Sequence, residues 1–482
     1  MKSILVILFL GAAGSLAAFA QPSLTIYNQN FAVVRDSVPL DLQSGVNNVR
    51  YADATAQVEP DSVILRDPNG KHSLQILEQN YRNDPVSQEL LLSLNEGKTI
   101  DFENIRTKDN TQTPEFISGK IVRSGYVPGG SPTQPIIEVD GKLQFQLPGM
   151  PLFPDLGDGT VLKPTLNWLL QSDKPGKFDA EVGYVTGGFD WSASYNLVSP
   201  EKGDNVDLVG WITMNNQSGK TFENAKIKLM AGEVNKIQPP QQMAFVAARR
   251  AMVMQAMDEN GPAVTEKAFD EFHLYSIARP TTLHDRETKQ VEFVHAENMF
   301  APTIYVYDGA SDYRFYGGLN NDQNYGTSGN KKILVMREFV NAESNHLGVA
   351  LPAGKLRFYR RDADGQLQFV GENTIDHTPR NETVRVTTGN SFDLVGERKQ
   401  TDFHVDTRAH TIDETFEIKL RNHKKDAPVE IRVVEHLYRW SSWEITAKSD
   451  DFKKTDAQTI EFRVPVKPDG EKTVTYTVHY SW

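Results

Sequence analysis

The stretch Glu271-Phe-His-Leu-Tyr-Ser-Ile-Ala-Arg-Pro-Thr-Thr-Leu-His-Asp-Arg-Glu-Thr-Lys-Gln-Val-Glu-Phe-Val294 decides how the chain folds. Its first part alternates, with Phe272 and Leu274 on one side and His273 and Tyr275 on the other. A period of two is the signature of a strand. Arg279-Pro280 stiffens the backbone at its end, because proline fixes φ and pushes its predecessor towards extended geometry. His284, Asp285, Arg286, Glu287, Lys289 and Glu292 then crowd a charged connection before Val291 and Phe293 resume the strand period. The reading is a polar hub of His273, Arg279, Pro280, His284, Asp285, Arg286 and Glu287, held between strands and ordering their junction. Arginine suits that task, since its planar fork takes a carboxylate bidentately.

The same period extends outward in both directions. Strands are read at Asp179 to Val185, Ser192 to Leu197, Val206 to Met214 and Ala225 to Met230. Leu356-Arg-Phe-Tyr359 and Leu367-Gln-Phe-Val370 flank an Asp364-Gly365 turn, a hairpin signal. A short helix fits Val86 to Leu94. The segment Gln241 to Asp258 breaks the pattern, being rich in methionine and alanine and bounded by Pro239-Pro240 and Asn260-Gly-Pro262. It reads as an inserted helix. The expected fold is all-β, with several β-sandwich or small-barrel domains and one Met-rich helix. The divisions fall at 21–96, an N-terminal β domain, and at 97–150, a small barrel-like insertion. A central sandwich body at 151–400 carries the insert 241–258, and an immunoglobulin-like sandwich occupies 401–482.

Of 482 residues, 39% are hydrophobic and 24% charged, the balance of a globular protein. The formal charge of -12 and the absence of any long basic run argue against nucleic acid as partner. There is no cysteine, which excludes disulfides, thiol nucleophiles and cysteine-ligated metal. Lys2, the apolar run Ile4 to Leu10 and the small-x-small Ala18-Phe-Ala20 form a signal peptide over 1–20, with the mature chain starting at Gln21. No later apolar run is long enough to span a bilayer. Export without cysteine points to the bacterial periplasm or cell surface.

These blocks resemble a bacterial exported family of unknown function related to mucoidy inhibitor A. The likeness is carried by Phe31-Ala-Val-Val-Arg35, Trp191-Ser-Ala-Ser-Tyr195 and Asn215-Asn-Gln-Ser-Gly-Lys220. It continues in Tyr275-Ser-Ile-Ala-Arg-Pro-Thr-Thr-Leu283 with Glu287-Thr-Lys-Gln-Val291, in Leu351-Pro-Ala-Gly-Lys355 and in Phe369-Val-Gly-Glu372. The closing Tyr476-Thr-Val-His-Tyr-Ser-Trp482 belongs to it as well. Many members carry a long coiled coil, of which this chain has no heptad trace. The resemblance implies export and an all-β body, and supplies no catalytic residues.

Chemistry-bearing patterns are sparse. His404, Asp406, Arg408 and His410 would share one strand face, but His404 and His410 would lie ~20 Å apart at ~3.3 Å per residue. Arg408 also opposes a cation, so a solvated face is preferred to a metal site. Convergence of His273, His284 and His295 is weighed against ordinary cross-strand polar pairing, which is favoured. Ser192 and Ser194 lack a Gly-x-Ser-x-Gly elbow. Asp362-Ala-Asp-Gly365 reads as a turn and not a calcium loop. Tyr438, Trp440 and Trp443 could stack on sugar rings or fill a core. No cofactor motif is present. The function expected is non-catalytic binding of a protein or polysaccharide of the cell envelope. The alternative is a metal-assisted hydrolase on the same scaffold.

Overall fold

A computed structural model describes residues 21–108, 111–156, 160–232, 234–236, 264–269, 271–310 and 318–482. The expected signal peptide at 1–20 and the expected helix at 241–258 lie outside the described residues. Elsewhere the regular structure is nearly all strand, in several sheets that form sandwich-like domains. No described helix is long and apolar enough to cross a membrane.

The chain divides into two compact units. The first comprises Met1–Trp191, Met214–Met230 and Arg279–Lys289, and the second Ser192–Thr213, Ala231–Ala278 and Gln290–Trp482.

In the first unit, β1 (Ser23–Tyr27) pairs antiparallel with β2 (Phe31–Leu42). β3 (Gly45–Tyr51), β4 (Ile64–Arg66) and β5 (Leu74–Arg82) come next. Helix α1 (Gln88–Leu94) is capped by Ser87, whose hydroxyl accepts from Leu90 N. That bond satisfies one of the amides left without a partner in the first turn. After the helix come β6 (Thr99–Lys108), β7 (Thr111–Arg123), β8 (Ile136–Val139), β9 (Lys142–Gln144) and β10 (Met150–Leu152). They make a five-stranded sheet in the order β10-β6-β7-β8-β9. Leu92 of α1 packs with Ile100, Phe102, Ile121 and Ile137 beneath it. Then β11 (Thr165–Ser172) takes β3 on one side and β5 on the other, both antiparallel. β12 (Gly176–Gly187) runs antiparallel to β2 along its whole length and also pairs with β4. β1 closes on the strand Phe222–Ala231 in parallel, Ser23 opposite Lys226 and Tyr27 opposite Met230.

A five-stranded sheet, most of whose residues belong to the second unit, orders the strands Glu287–Phe300, Asn205–Asn216, Phe189–Ser199, Gly354–Arg361 and Leu367–Ile375. The last two are the hairpin read from Asp364-Gly365, and Gly365 has the left-handed φ of 82° that such a turn requires. A nine-stranded sheet is built on the long strand Thr383–Asp406 with Thr411–Asn422, Val429–His436 and Gly470–Ser481 among its members. Inward side chains Ile412, Phe416, Ile418, Ile431, Val433, Val474, Tyr476 and Val478 form its core.

Candidate functional site

Asn216 is the centre of the polar junction in the first unit. Its amide nitrogen donates to Lys220 O at 2.8 Å, His284 O at 3.0 Å and Leu283 O at 3.2 Å. Its side-chain oxygen accepts from Ser218 Oγ at 2.7 Å, and its backbone oxygen accepts from Arg286 N at 2.7 Å. Asp285 Oδ1 accepts from Gly219 N at 2.8 Å, and Glu287 Oε2 accepts from His284 N at 2.7 Å. The turn this fixes puts Arg286 at φ 61°. The acidic members of the expected hub therefore hold backbone amides. Its arginines do not form the expected fork: Arg279 and Pro280 are exposed, and the Arg286 side chain is 90% exposed. His284 is exposed too. His273 belongs to the second unit, where its Nδ1 lies 2.8 Å from Glu266, which also takes Arg380 at 3.1 Å. His295 lies beside Glu292 at 3.2 Å.

Lys220 ends the same turn and is buried. Its ammonium donates to Asp36 Oδ2 at 2.7 Å, Asp53 O at 2.8 Å and Tyr51 OH at 3.1 Å. Burial by itself would push this ammonium down. The hydroxyls of Tyr51 and Tyr184 and the carboxylate of Asp36 outweigh it and hold Lys220 above the ordinary lysine value. Every donor direction is used internally, which is the arrangement of a structural ion pair and not of a lysine nucleophile.

The first unit also has an open polar hollow of about 240 Å³ on the outer face of the β3-β11-β5 sheet. Register explains its lining. Arg50, Asn167 and Asn80 form one row across the strands, and Asn48, Leu169 and Glu78 the next. A bulge between Leu169 and Leu170 bends the middle strand there. The inner face fixes the platform, with Trp168 buried, donating from Nε1 to Gln79 Oε1 at 2.7 Å and stacked on Tyr51. Asn80 donates to Glu78 at 2.9 Å, while Asn48, Arg50 and Asn167 have no side-chain hydrogen bond or ion pair among the described residues. Donors and acceptors converge on the hollow and are left for a ligand or water. The sequence carries a trace of this in the alternation Asn48, Arg50 and in Glu78, Asn80. The pairing of β3 with β11 is too distant in the chain to be read from it.

The family model for DUF4139, a domain of unknown function, matches residues 180–482. The chain belongs to the DUF4139 family. A search of curated proteins found no match. Asn216, Lys220 and the central stretch fall inside the DUF4139 region, whereas the polar hollow precedes it.

Two buried ion pairs run through the core of the DUF4139 region. Arg398 Nε lies 2.9 Å from Glu435 Oε2, and Tyr476 OH also donates to that carboxylate. Arg439 Nε lies 2.8 Å from Glu414 Oε2, which takes Gln400 at 3.1 Å. Burial pushes the Glu414 carboxyl up, against the pull of Arg439. Arg398 lies over the Phe416 ring at 3.7 Å, and Arg439 over Phe403 at 4.6 Å. The remaining guanidinium donors reach backbone oxygens of one loop: Asn320, Asp322 and Tyr325 from Arg439, and Gly326 from Arg398. These groups order a loop.

The aromatic candidates sit at the edge of this core. The strand carrying His436 ends there, so Tyr438 and Trp440 lie in a connection and not on a strand. Tyr438 stacks on His436 at 4.9 Å. Trp440 and Trp443 pack against the core half-buried. Trp443 Nε1 donates to Ala457 O at 3.0 Å, and Lys454 lies over its ring at 4.6 Å.

His404 and His410 do not share a strand. The chain turns after Asp406, whose Oδ1 accepts from Arg408 N at 2.8 Å and Ala409 N at 2.9 Å. Those amides hold the Asp406 carboxyl below its ordinary value. His410 takes φ 58°, and Thr411 begins the return strand. Across the outer face His404, Asp413 and His479 stand in register, with His479 Nδ1 2.7 Å from Asp413. Among the described residues no three histidine, aspartate or glutamate side chains are grouped to hold a metal ion. Deeper in, His436 Nε2 lies 3.1 Å from Asp308 Oδ2. Burial alone would lower the His436 pKa, but the bond to Asp308 and the negative charges of Asp308, Glu435 and Asp456 together outweigh it and hold the imidazole above its ordinary value.

Proposed function

We propose that the protein is exported to the bacterial envelope and binds a polysaccharide there without catalysis, using the hollow on β3-β11-β5. The observation that carries this reading is the convergence of Asn48, Arg50, Asn167, Asn80 and Glu78 on one concave face. Planar amides, a guanidinium and a carboxylate offer paired donors and acceptors to vicinal hydroxyls. Protein interfaces instead centre on aromatic and methionine side chains, whereas Trp168, the aromatic residue in this lining, is buried with its ring stacked on Tyr51. Export is supported by Lys2, Ile4 to Leu10 and Ala18-Phe-Ala20. Kinship with mucoidy inhibitor A is supported by Tyr275 to Leu283 with Glu287 to Val291. A binding role is further supported by the buried ionisable groups, since Lys220, Arg398, Glu435, Arg439 and Glu414 all face partners inside the fold.

The test is calorimetric titration of the mature protein with soluble fragments of its own cell's envelope polysaccharide, alongside Arg50→Ala and Asn167→Ala. Each variant is expected to weaken binding about tenfold, the worth of one charge-assisted or bidentate contact. Binding unchanged in both variants removes the hollow from the reading. Stoichiometric zinc or manganese surviving dialysis, with turnover of the fragments, replaces the reading by a metal-assisted hydrolase.

A further inference from the structure

Gly183 stands mid-strand in β12, opposite Arg35 of β2 on one side and Ile64 of β4 on the other. Strand-interior glycine weakens a sheet and is kept where the backbone needs it or where something approaches closely. Here the backbone does not need it. Gly183 is not among the residues with positive φ, and an added Cβ would meet nothing nearer than Val34 O at 3.8 Å. Gly119, Gly210 and Gly396 differ, since a Cβ there would collide with Ile137, Val294 and Tyr307 respectively. Packing explains those glycines and leaves Gly183 unexplained.

What the missing side chain leaves is a second hollow, of about 280 Å³. Gly183 is its floor, and Val33, Val185 and Ile64 give it apolar walls. Ser62 at its edge has its hydroxyl occupied, donating to Glu59 O at 2.6 Å and accepting from Val185 N at 2.8 Å. Two arginines stand at the rim. Arg66 is neutralised by Glu181 at 2.6 Å. Arg35 is exposed and has no ion pair or hydrogen bond among the described residues. An apolar slot with one uncompensated guanidinium at its mouth selects an apolar body ending in one anionic group.

We propose that this hollow binds a small carboxylate with an apolar body, its carboxylate on Arg35 and its body over Gly183. A cavity of ~150 Å³ accepts benzene, so this one suits a chain of about eight carbons. The site is made of other residues than the polysaccharide hollow and stands or falls independently of it.

The experiment is titration of the mature protein with octanoate, followed by calorimetry and ligand-observed NMR, with 1-octanol as the uncharged control. Saturable octanoate binding is expected. Arg35→Gln should weaken octanoate about tenfold and leave octanol unchanged, because only the charge-assisted pair is removed. Gly183→Leu should fill the hollow and lower both affinities more than tenfold, with a thermal midpoint equal to or above the parent's. Absence of saturable octanoate binding overturns the proposal, as does binding that survives Gly183→Leu. Equal loss of octanoate and octanol in Arg35→Gln overturns the carboxylate assignment. Arg35 is a surface residue, so that variant tests the idea even where the leucine variant fails to fold.

Discussion

At the scale of single residues, burial separates charges that matter from charges that do not. Lys220 is 7% exposed and joins Asp36 and Asp53, so Lys220→Met leaves Asp36 facing an apolar neighbour. The expected loss of stability is about 3 kcal/mol, at the lower end for a broken buried pair because Asp53 stays half-exposed. Arg286→Ala and Arg279→Ala should each cost below about 1 kcal/mol, as exposed charges do. Urea unfolding of the three variants side by side checks the contrast, and an Arg279 effect as large as that of Lys220 would restore the arginine fork. The residue scale also carries a pH signature. Asp67 accepts from His72 Nδ1 and from the amides of Asn69, Lys71 and His72. These bonds, that of His72 first, lower its pKa from 3.8 to about 2. A depressed acid stabilises the fold above its unfolded pKa and loses that contribution as pH falls through the folded one. Asp67→Asn should therefore be less stable than the parent at neutral pH, with the gap closing between about pH 4 and pH 2. Acid unfolding curves for the two proteins measure it.

At the scale of elements, what the sequence shows depends on how local the cause is. The hairpin at Gly365 and helix α1 behind Ser87 are legible because a turn residue and a cap act within a few positions. The turn at Thr407-Arg-Ala-His410 is not, since it has neither glycine nor proline and is closed by Asp406 and a histidine at positive φ. Read as a strand, it stretches His404 and His410 apart. The buried ion pairs leave a clearer trace. Glu414 falls in phase with Ile412, Phe416 and Ile418, and Glu435 with Ile431 and Val433. A carboxylate in the core phase of a strand must find a cation, and only the tertiary fold says that the cations are Arg439 and Arg398. The pair Arg398 and Glu435 gives the element-scale prediction. Arg398→Met alone should cost about 3–5 kcal/mol by leaving Glu435 unpaired, whereas Arg398→Met with Glu435→Leu should recover much of that loss. A double-mutant cycle by denaturant unfolding decides it. A double variant no better than the single would mean that the loop carbonyl at Gly326, not the carboxylate, is what Arg398 serves.

At the scale of the whole molecule, the family boundary and the physical boundary disagree. The DUF4139 match begins at residue 180, yet strand Phe222–Ala231 within it takes β1 as its parallel neighbour, and β12 takes β2. Lys220 likewise finds Asp36, Tyr51 and Asp53 before the match begins. Residues 214–230 and 279–289 thus complete a unit whose greater part is 21–191. A fragment of 180–482 would strip those segments of β1 and β2, leaving Phe222–Ala231 paired with Thr281–Leu283, and leave Lys220 buried without its carboxylates or unfolded into water. The strand Phe222–Ala231 would lose β1 and bare the apolar face of Ala225, Ile227 and Leu229, the kind of edge that recruits other chains. The nine-stranded sheet lies wholly within the match and keeps its core. The expected behaviour is a fragment that associates in solution, with amides of Glu417 to Leu420 still protected from hydrogen exchange and those of Lys226 to Met230 that face β1 exchanging faster than in the full chain. Hydrogen exchange read by mass spectrometry, with light scattering, measures both. A monomeric fragment with protection at Lys226 to Met230 equal to the full chain would show that β1 is dispensable and that the family boundary is a folding boundary after all.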